Sequence, residues 1–393
     1  MNITLANLPA PDAESLEVSR RLVELIRSEI AGCGGQISFA RYMELALYAP
    51  GLGYYSAGAR KFGASGDFVT APEISPLFAR CVARQCAQVL RELGGGDMLE
   101  AGAGSGALAC DALQELERMD CLPRHYFILE LSAELRARQR ALIEQRVPHL
   151  APRVQWLDAL PPAGFRGVMF ANELLDAMPV HRFRIEESGA SELYVTWQDT
   201  GFAWRAAKPG SAELEQRIAA LDLAPGFAGE ISLSARAWIK SVAELLEAGL
   251  ILLVDYGFPR RELYHPQRSQ GTLLCHYRHR AHGDPFLYPG LQDITAHVDF
   301  TAVAGAAHEA GMRVAGYATQ ANFLLSCGLA EMAADTVDTR TRVLAAQQVR
   351  RLTLPDEMGE VFKAIALTRG LDAPLLGFAF KDDRARLSSR LLP

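Results

Sequence analysis

Glu100 ends a short apolar run (Met98, Leu99), and Gly102, Gly104 and Gly106 follow it at every second position. Glycines at this spacing predict a buried strand turning sharply into a helix that begins near Ala107. They permit positive φ and let a ligand approach the backbone with no Cβ in the way. In an open α/β sheet the first strand-to-helix turn is where a nucleotide-like ligand sits. Gly102, Gly104 and Ala107 also satisfy the dinucleotide fingerprint. The carboxylate of Glu100 weighs against that reading, because it would repel a pyrophosphate. It suits a ligand that carries an ammonium and a sulfonium.

Further carboxylates stand at the ends of the strands that follow. Glu130 is placed to accept both hydroxyls of a ribose, a device that serves several nucleoside cofactors. Asp158 is a candidate for the adenine amino group, or else an ordinary loop acid. Asn172, Glu173 and Asp176 fall within five residues at the end of another strand. Glu173 and Asp176, three apart, share one face if the segment is helical, and two carboxylates there match the planar fork of a guanidinium. The alternative is a helix N-cap at Asn172 with acids in its first turn. Asp255 lies at the same edge, where it can anchor the turn at Gly257. The stretch Cys275–His282 is rich in histidine, but Arg278 and Arg280 oppose a cation, so an ordered loop is expected and no metal site is assigned.

These side chains need a sheet to align them. Apolar runs at Asp97–Glu100, Tyr126–Glu130, Val154–Leu157, Gly167–Ala171 and Leu250–Asp255 alternate with helical patterns, including Leu108–Arg118 and Ala133–Gln145, as parallel βαβ units require. Residues 15–32, 37–50 and 77–93 also read as helical, and the segment 51–76 reads as an ordered functional loop. A β-rich insertion is expected at about 180–235, followed by a helix at 235–248, and a second irregular insertion at about 257–297. Phe362–Thr368 and Leu376–Phe380 are expected to pair antiparallel at the end of the sheet. The division that follows is a helical cap over 1–95 and a cofactor-binding domain over 96–393.

Composition narrows the partners. The chain has 393 residues, 49% of them hydrophobic, and a formal charge of −6, which argues against nucleic acid held by general electrostatics. Seven scattered cysteines suit a reducing compartment. Asp12, Glu14 and Glu17 near the start are unlike a signal or transit peptide, and no run is long enough for a membrane span. A cytoplasmic, bacterial location is the expectation. No serine elbow or phosphate loop is present.

The order E-x-G-x-G-x-G resembles motif I of class I methyltransferases, whose ligand is S-adenosylmethionine. Wider blocks, among them Ile37-Ser-Phe through Gly53-Tyr-Tyr55, Gly66-Asp-Phe-Val-Thr-Ala-Pro-Glu73, Asn172-Glu-Leu-Leu-Asp176, Val254-Asp-Tyr-Gly257 and Asp293-Ile-Thr, resemble the MidA family. The resemblance implies an α/β, Rossmann-like sheet with an antiparallel last strand, an N-terminal helical cap and an inserted β-rich segment. It implies that Glu100, Gly102, Gly104, Gly106 and Glu130 bind S-adenosylmethionine and that Asp67 and Glu73 line the cleft from the cap. It also implies methyl transfer to arginine on a protein acceptor, with a respiratory-complex subunit as the partner. The competing expectations are a catalytically weak assembly factor that binds the same cofactor and a nicotinamide-dependent oxidoreductase. Thr295-Ala-His297 is a further candidate at the acceptor.

Overall fold

The structure, a computed structural model, describes residues 8–56, 70–335 and 339–388. Its centre is a sheet whose principal strands are β1 (Asp97–Ala101), β2 (Tyr126–Leu129), β3 (Val154–Leu157), β4 (Phe165–Asn172), β5 (Leu246–Phe258), β6 (Arg313–Thr319) and β7 (Phe362–Arg369). They lie in the order β3-β2-β1-β4-β5-β7-β6. The first five are parallel, and β7 runs antiparallel to both β5 and β6. Val298–Asp299 adds a short parallel pairing to the end of β5.

Each face of the sheet has its own core, as buried parallel strands demand. Met98, Tyr126, Val168, Leu252 and Ala366 point to one side, where Pro76–Glu92 and Ala107–Arg118 pack through Phe78, Val82, Leu113 and Leu116. Leu99, Met169, Ile251 and Leu367 point to the other, against Leu233–Leu245 and Phe300–Glu309. Gly167 and Gly249 face each other across β4 and β5 at positive φ. A Cβ on Gly249 would stand 1.8 Å from the Gly167 carbonyl oxygen, so only glycine permits this approach.

The β-rich insertion forms a second sheet, from His181–Glu186, Gly189–Gln198, Gly201–Ala207 and Ala228–Ile231. Its edge strand is Ile37–Ser38, far away in sequence. Leu22, Ile26, Phe39 and Tyr42 of the N-terminal helices share one core with Val195, Phe202 and Trp204 of this sheet. The N-terminal helices and the insertion are thus one packed body. Among the described residues no helix is long and apolar enough to cross a membrane.

Two expectations require correction. Leu376–Phe378 is a single 3-10 turn, and the antiparallel partners of β7 are β5 and β6. Gly316 and a register shift interrupt the pattern of β6, and Phe378 packs directly over Gly316, where a Cβ would meet its ring at 2.3 Å. The stretch 257–297 contains an ordered three-stranded sheet (Leu274–Tyr277, Arg280–His282, Asp293–Thr295). Its tight turn puts Arg278 and His279 both at positive φ, the geometry of a two-residue hairpin usually marked by Asn-Gly or Asp-Gly. With neither present, the sequence carries no turn signal.

Candidate active site

A cavity of about 1130 Å³ opens across the C-terminal ends of β1, β2, β4 and β5. That exceeds the roughly 300–1000 Å³ usual for one small ligand, leaving room for a nucleoside cofactor and an acceptor side chain.

One end is built by the turn after β1. Gly102, Gly104 and Gly106 all have positive φ. A Cβ on Gly102 would press on Leu174, and one on Gly106 would meet Gln139 at 3.3 Å. Glu100 is buried, and the Tyr126 hydroxyl donates to its Oε2 at 2.7 Å. Burial raises its pKa to about 7 against that hydrogen bond, with Glu130 adding a smaller upward push. Glu130 accepts from the Ser132 N–H at 2.9 Å and from Gln139 Nε2 at 3.2 Å. Leu131 beside it is 77% exposed on the cavity wall, an apolar platform.

Gln139, fully buried on the helix Ala133–Arg146, joins these parts. Its Nε2 also donates to the Gly104 carbonyl at 3.0 Å, and its Oε1 accepts from Trp156 Nε1 at 2.9 Å. Sequence reasoning missed it, since a lone glutamine in a helical stretch gives no local signal.

The other end is acidic. Asn172 Nδ2 donates to Glu173 Oε1 at 2.9 Å, and Glu173 holds φ +51°, a strained value outside glycine. Its pKa is pushed up to about 8, first by burial and then by Asp176. Burial raises Asp176 to about 6, opposed by a hydrogen bond from the Tyr256 hydroxyl. Residues 173–178 form turns, so neither the shared helical face nor the N-cap exists. Asp255 holds the turn instead: its Oδ2 accepts from the N–H groups of Leu174, Leu175 and Asp176, at 3.1, 2.8 and 3.4 Å. Burial and the neighbouring Asp176 push its pKa up as well.

Distant segments complete this end. Tyr55 donates to buried Asp293 at 3.0 Å, Tyr48 donates to the Ala177 carbonyl at 2.9 Å, and the two rings stack. His276 lies opposite Asp293 in the three-stranded sheet, and both line the cavity. The His297 ring meets Tyr256 edge-on at 5.3 Å. Its pKa falls to about 4 through burial, aided by Arg268 and Lys363. Thr295 is buried, donating to the Leu274 carbonyl at 3.3 Å.

Not every predicted residue reaches the cavity. Asp158 is 83% exposed, pairs with Arg136 and is absent from the lining. Glu73 sits on the short helix Ala71–Ile74, of which only Pro72 lines the cavity, although the Ala71 N–H reaches Glu173. Asp67 lies outside the described residues. Among the described residues no group of three His, Cys, Asp or Glu could hold a metal ion.

S-adenosylmethionine fits this arrangement. The glycine turn leaves open backbone beside Glu130 and Leu131, and Asn172 Oδ1 is buried without a hydrogen-bond partner. An unsatisfied acceptor in a cavity favours a ligand rich in donors.

Known proteins agree. Residues 81–318 match the family model described as "Putative S-adenosyl-L-methionine-dependent methyltransferase". The chain is similar to a COG1565 superfamily member from Burkholderia thailandensis whose crystal structure holds S-adenosyl-homocysteine. The two are 47% identical with a TM-score of 0.93, over 96% of this chain and 100% of the other. A native crystal structure from the same organism is 46% identical with a TM-score of 0.91, over 96% and 100% of the two chains. Among curated proteins, "Protein arginine methyltransferase NDUFAF7 homolog, mitochondrial" of Drosophila melanogaster is 27% identical, over 94% of this chain and 91% of its own. The Mus musculus protein arginine methyltransferase NDUFAF7 is also 27% identical, over 92% and 86%. With its sheet order, its glycine turn and these relatives, the chain belongs to the MidA-like family of S-adenosylmethionine-dependent methyltransferases.

Proposed function

We propose that the acceptor is an arginine side chain of a protein. The observation that carries this reading is the cluster of carboxylates on the cavity wall, buried Asp176 and Asp293 with half-buried Glu173. A guanidinium brings five N–H donors in a flat fork, and a carboxylate with an open acceptor atom, as Asp176 has at Oδ1, is its natural partner. The names of the curated relatives point the same way, and a respiratory-complex subunit is the first protein acceptor to test.

In this reading the glycine turn with Glu100 and Glu130 holds the cofactor, which supplies a methyl group activated on a sulfonium. Glu173 and Asp176 orient the guanidinium and stabilise its charge, and Tyr48, Tyr55 and Tyr256 exclude water around it. As the new N–C bond forms the methyl–sulfonium bond would break, releasing S-adenosyl-homocysteine, and the acceptor nitrogen would lose a proton. Glu173 in its ionised form is the carboxylate placed to receive it, and burial raises its affinity for that proton.

The test is incubation of the enzyme and S-adenosylmethionine with arginine peptides and a host lysate, read by mass spectrometry for methylarginine. Methylarginine formed by wild type and absent with Glu100→Ala is expected. Methyl groups confined to another residue type would overturn the arginine reading. Cofactor binding with no methylated product at all would favour an assembly factor.

A further inference from the structure

The helix Thr339–Thr353 contains Arg340, Arg342, Arg350 and Arg351 and no acidic residue. All four arginines are exposed, and among the described residues none forms an ion pair. This is unusual in a chain of charge −6, where acids are available to pair with them. The inner face of the helix is occupied: Ala345 and Leu352 are buried, and Gln348 Oε1 accepts from the Ser75 hydroxyl at 2.8 Å. Among the described residues the outer face has no such partner. It presents Arg340, Gln347, Arg350 and Arg351, with Val343 and Leu344 each about half exposed.

The position of this face matters more than its charge. Arg351 lines the cavity, together with Met358 and Phe362. The cationic strip therefore has one end, Arg351, on the cavity wall and the other, Arg340, at the opposite end of the helix. At about 1.5 Å per helical residue it is roughly 16 Å long, the span of about five residues of extended peptide. Inside the cavity the charge is opposite, through Glu173, Asp176 and Asp293. A ligand matched to both surfaces has a cation at one point and acids a few residues away.

We infer that the outer face of this helix docks an acidic segment of the acceptor protein, within about six residues of the side chain that enters the cavity. This rests on the protein-acceptor reading above. The two exposed apolar residues give an acidic peptide a place for one or two aliphatic side chains. Nucleic acid and anionic membranes fit less well, because the overall negative charge repels a large anionic surface while a short peptide meets only the local field.

Two fluorescein-labelled peptides provide the test: Gly-Gly-Arg-Gly-Gly followed by four glutamates, and the same peptide followed by four glutamines. Each is titrated by anisotropy into the protein loaded with S-adenosyl-homocysteine, as wild type and as the combined variant R340Q/R342Q/R350Q. Arg351 is left intact because it lines the cavity. Wild type is expected to prefer the glutamate peptide by about tenfold, the sum of two or three exposed ion pairs, and the preference should shrink with salt. The variant should lose the preference and keep its affinity for S-adenosyl-homocysteine. Equal binding of both peptides by wild type overturns the inference, as does a preference that survives in the variant. Sedimentation of wild type with phosphatidylglycerol vesicles, without peptide preference, also overturns it and assigns the strip to lipid. With S-adenosylmethionine in place of S-adenosyl-homocysteine, methylarginine formed equally on both peptides would remove the docking strip and leave the arginine reading intact. A binding preference with no methylarginine on either would do the reverse.

Discussion

Glu173 and Asp176 are held differently, and this divides their work. Glu173 is strained at positive φ and bonded to Asn172, so its carboxylate is fixed in direction. Asp176 receives the Tyr256 hydroxyl and keeps Oδ1 without a partner, which leaves it free to accept from a donor on the ligand. Replacing its charge should therefore act on the acceptor more than on the cofactor. Asp176→Asn is expected to lower kcat/KM for an arginine acceptor by about 10- to 100-fold, the value of one hydrogen bond to a charged group. Affinity for S-adenosyl-homocysteine, measured by calorimetry, should stay within about threefold. A variant as active as wild type would remove Asp176 from the mechanism.

Between elements, two side chains hold two turns in place. Gln139 ties the glycine turn after β1 to Glu130 after β2 and to Trp156 on β3. In Gln139→Leu the Gly104 carbonyl and the Trp156 N–H lose their partner, and the turn loosens. Affinity for S-adenosyl-homocysteine should fall about tenfold, from one or two lost hydrogen bonds, whereas unchanged affinity would show that the turn holds its shape without this clamp. Asp255 performs the same service for the turn after β4, accepting three backbone N–H groups. Asp255→Ala strands those donors in the interior. A loss of about 3 kcal/mol in urea unfolding is expected, and a loss below about 1 kcal/mol would mean that water replaces the carboxylate.

Across the whole molecule, the concentration of buried acids makes stability depend on pH. Burial pushes Glu100 up to about 7, Glu173 up to about 8 and Asp176 up to about 6, from ordinary values of 4.5, 4.5 and 3.8. Each raised carboxyl is protonated in the folded chain where the unfolded chain has already lost the proton. The folded state therefore binds more protons between those limits, and its stability falls as pH rises. The midpoint of thermal unfolding of the ligand-free protein should drop between about pH 5 and pH 9, with a shallower slope in Glu173→Gln. A midpoint that rises over this window would show that the acids are not buried as described. A cation bound among the ionised carboxylates reverses the trend, since it stabilises the charged form. Stabilisation by a guanidinium-bearing acceptor should thus grow toward high pH.

Much of this protein was legible one segment at a time. The strands β1 to β5 and the glycine turn follow from short-range rules, apolar runs bounded by breakers and glycines at alternate positions, and the structure finds them within a few residues of the expected ends. Glu100, Glu130, Asn172, Glu173 and Asp176 were visible because each stands at a strand end, the edge of a parallel sheet that faces ligands. Other features escaped because no local pattern encodes them. The turn at Arg278-His279 lacks the glycine that marks its type, and β6 is interrupted at Gly316. Asp158 occupied the right place in the sequence, yet its pairing with Arg136 takes it to the surface. Sequence by itself determined which residue types stand at the sheet edge, since periodicity and backbone freedom are properties of neighbouring residues. Only the tertiary structure decided that Tyr48, Tyr55, Tyr256, Asp293, His297 and Arg351 enclose one cavity. Their meeting depends on how the N-terminal helices, the inserted sheet and the helix Thr339–Thr353 pack around the central sheet, and packing is a sum over contacts distant along the chain.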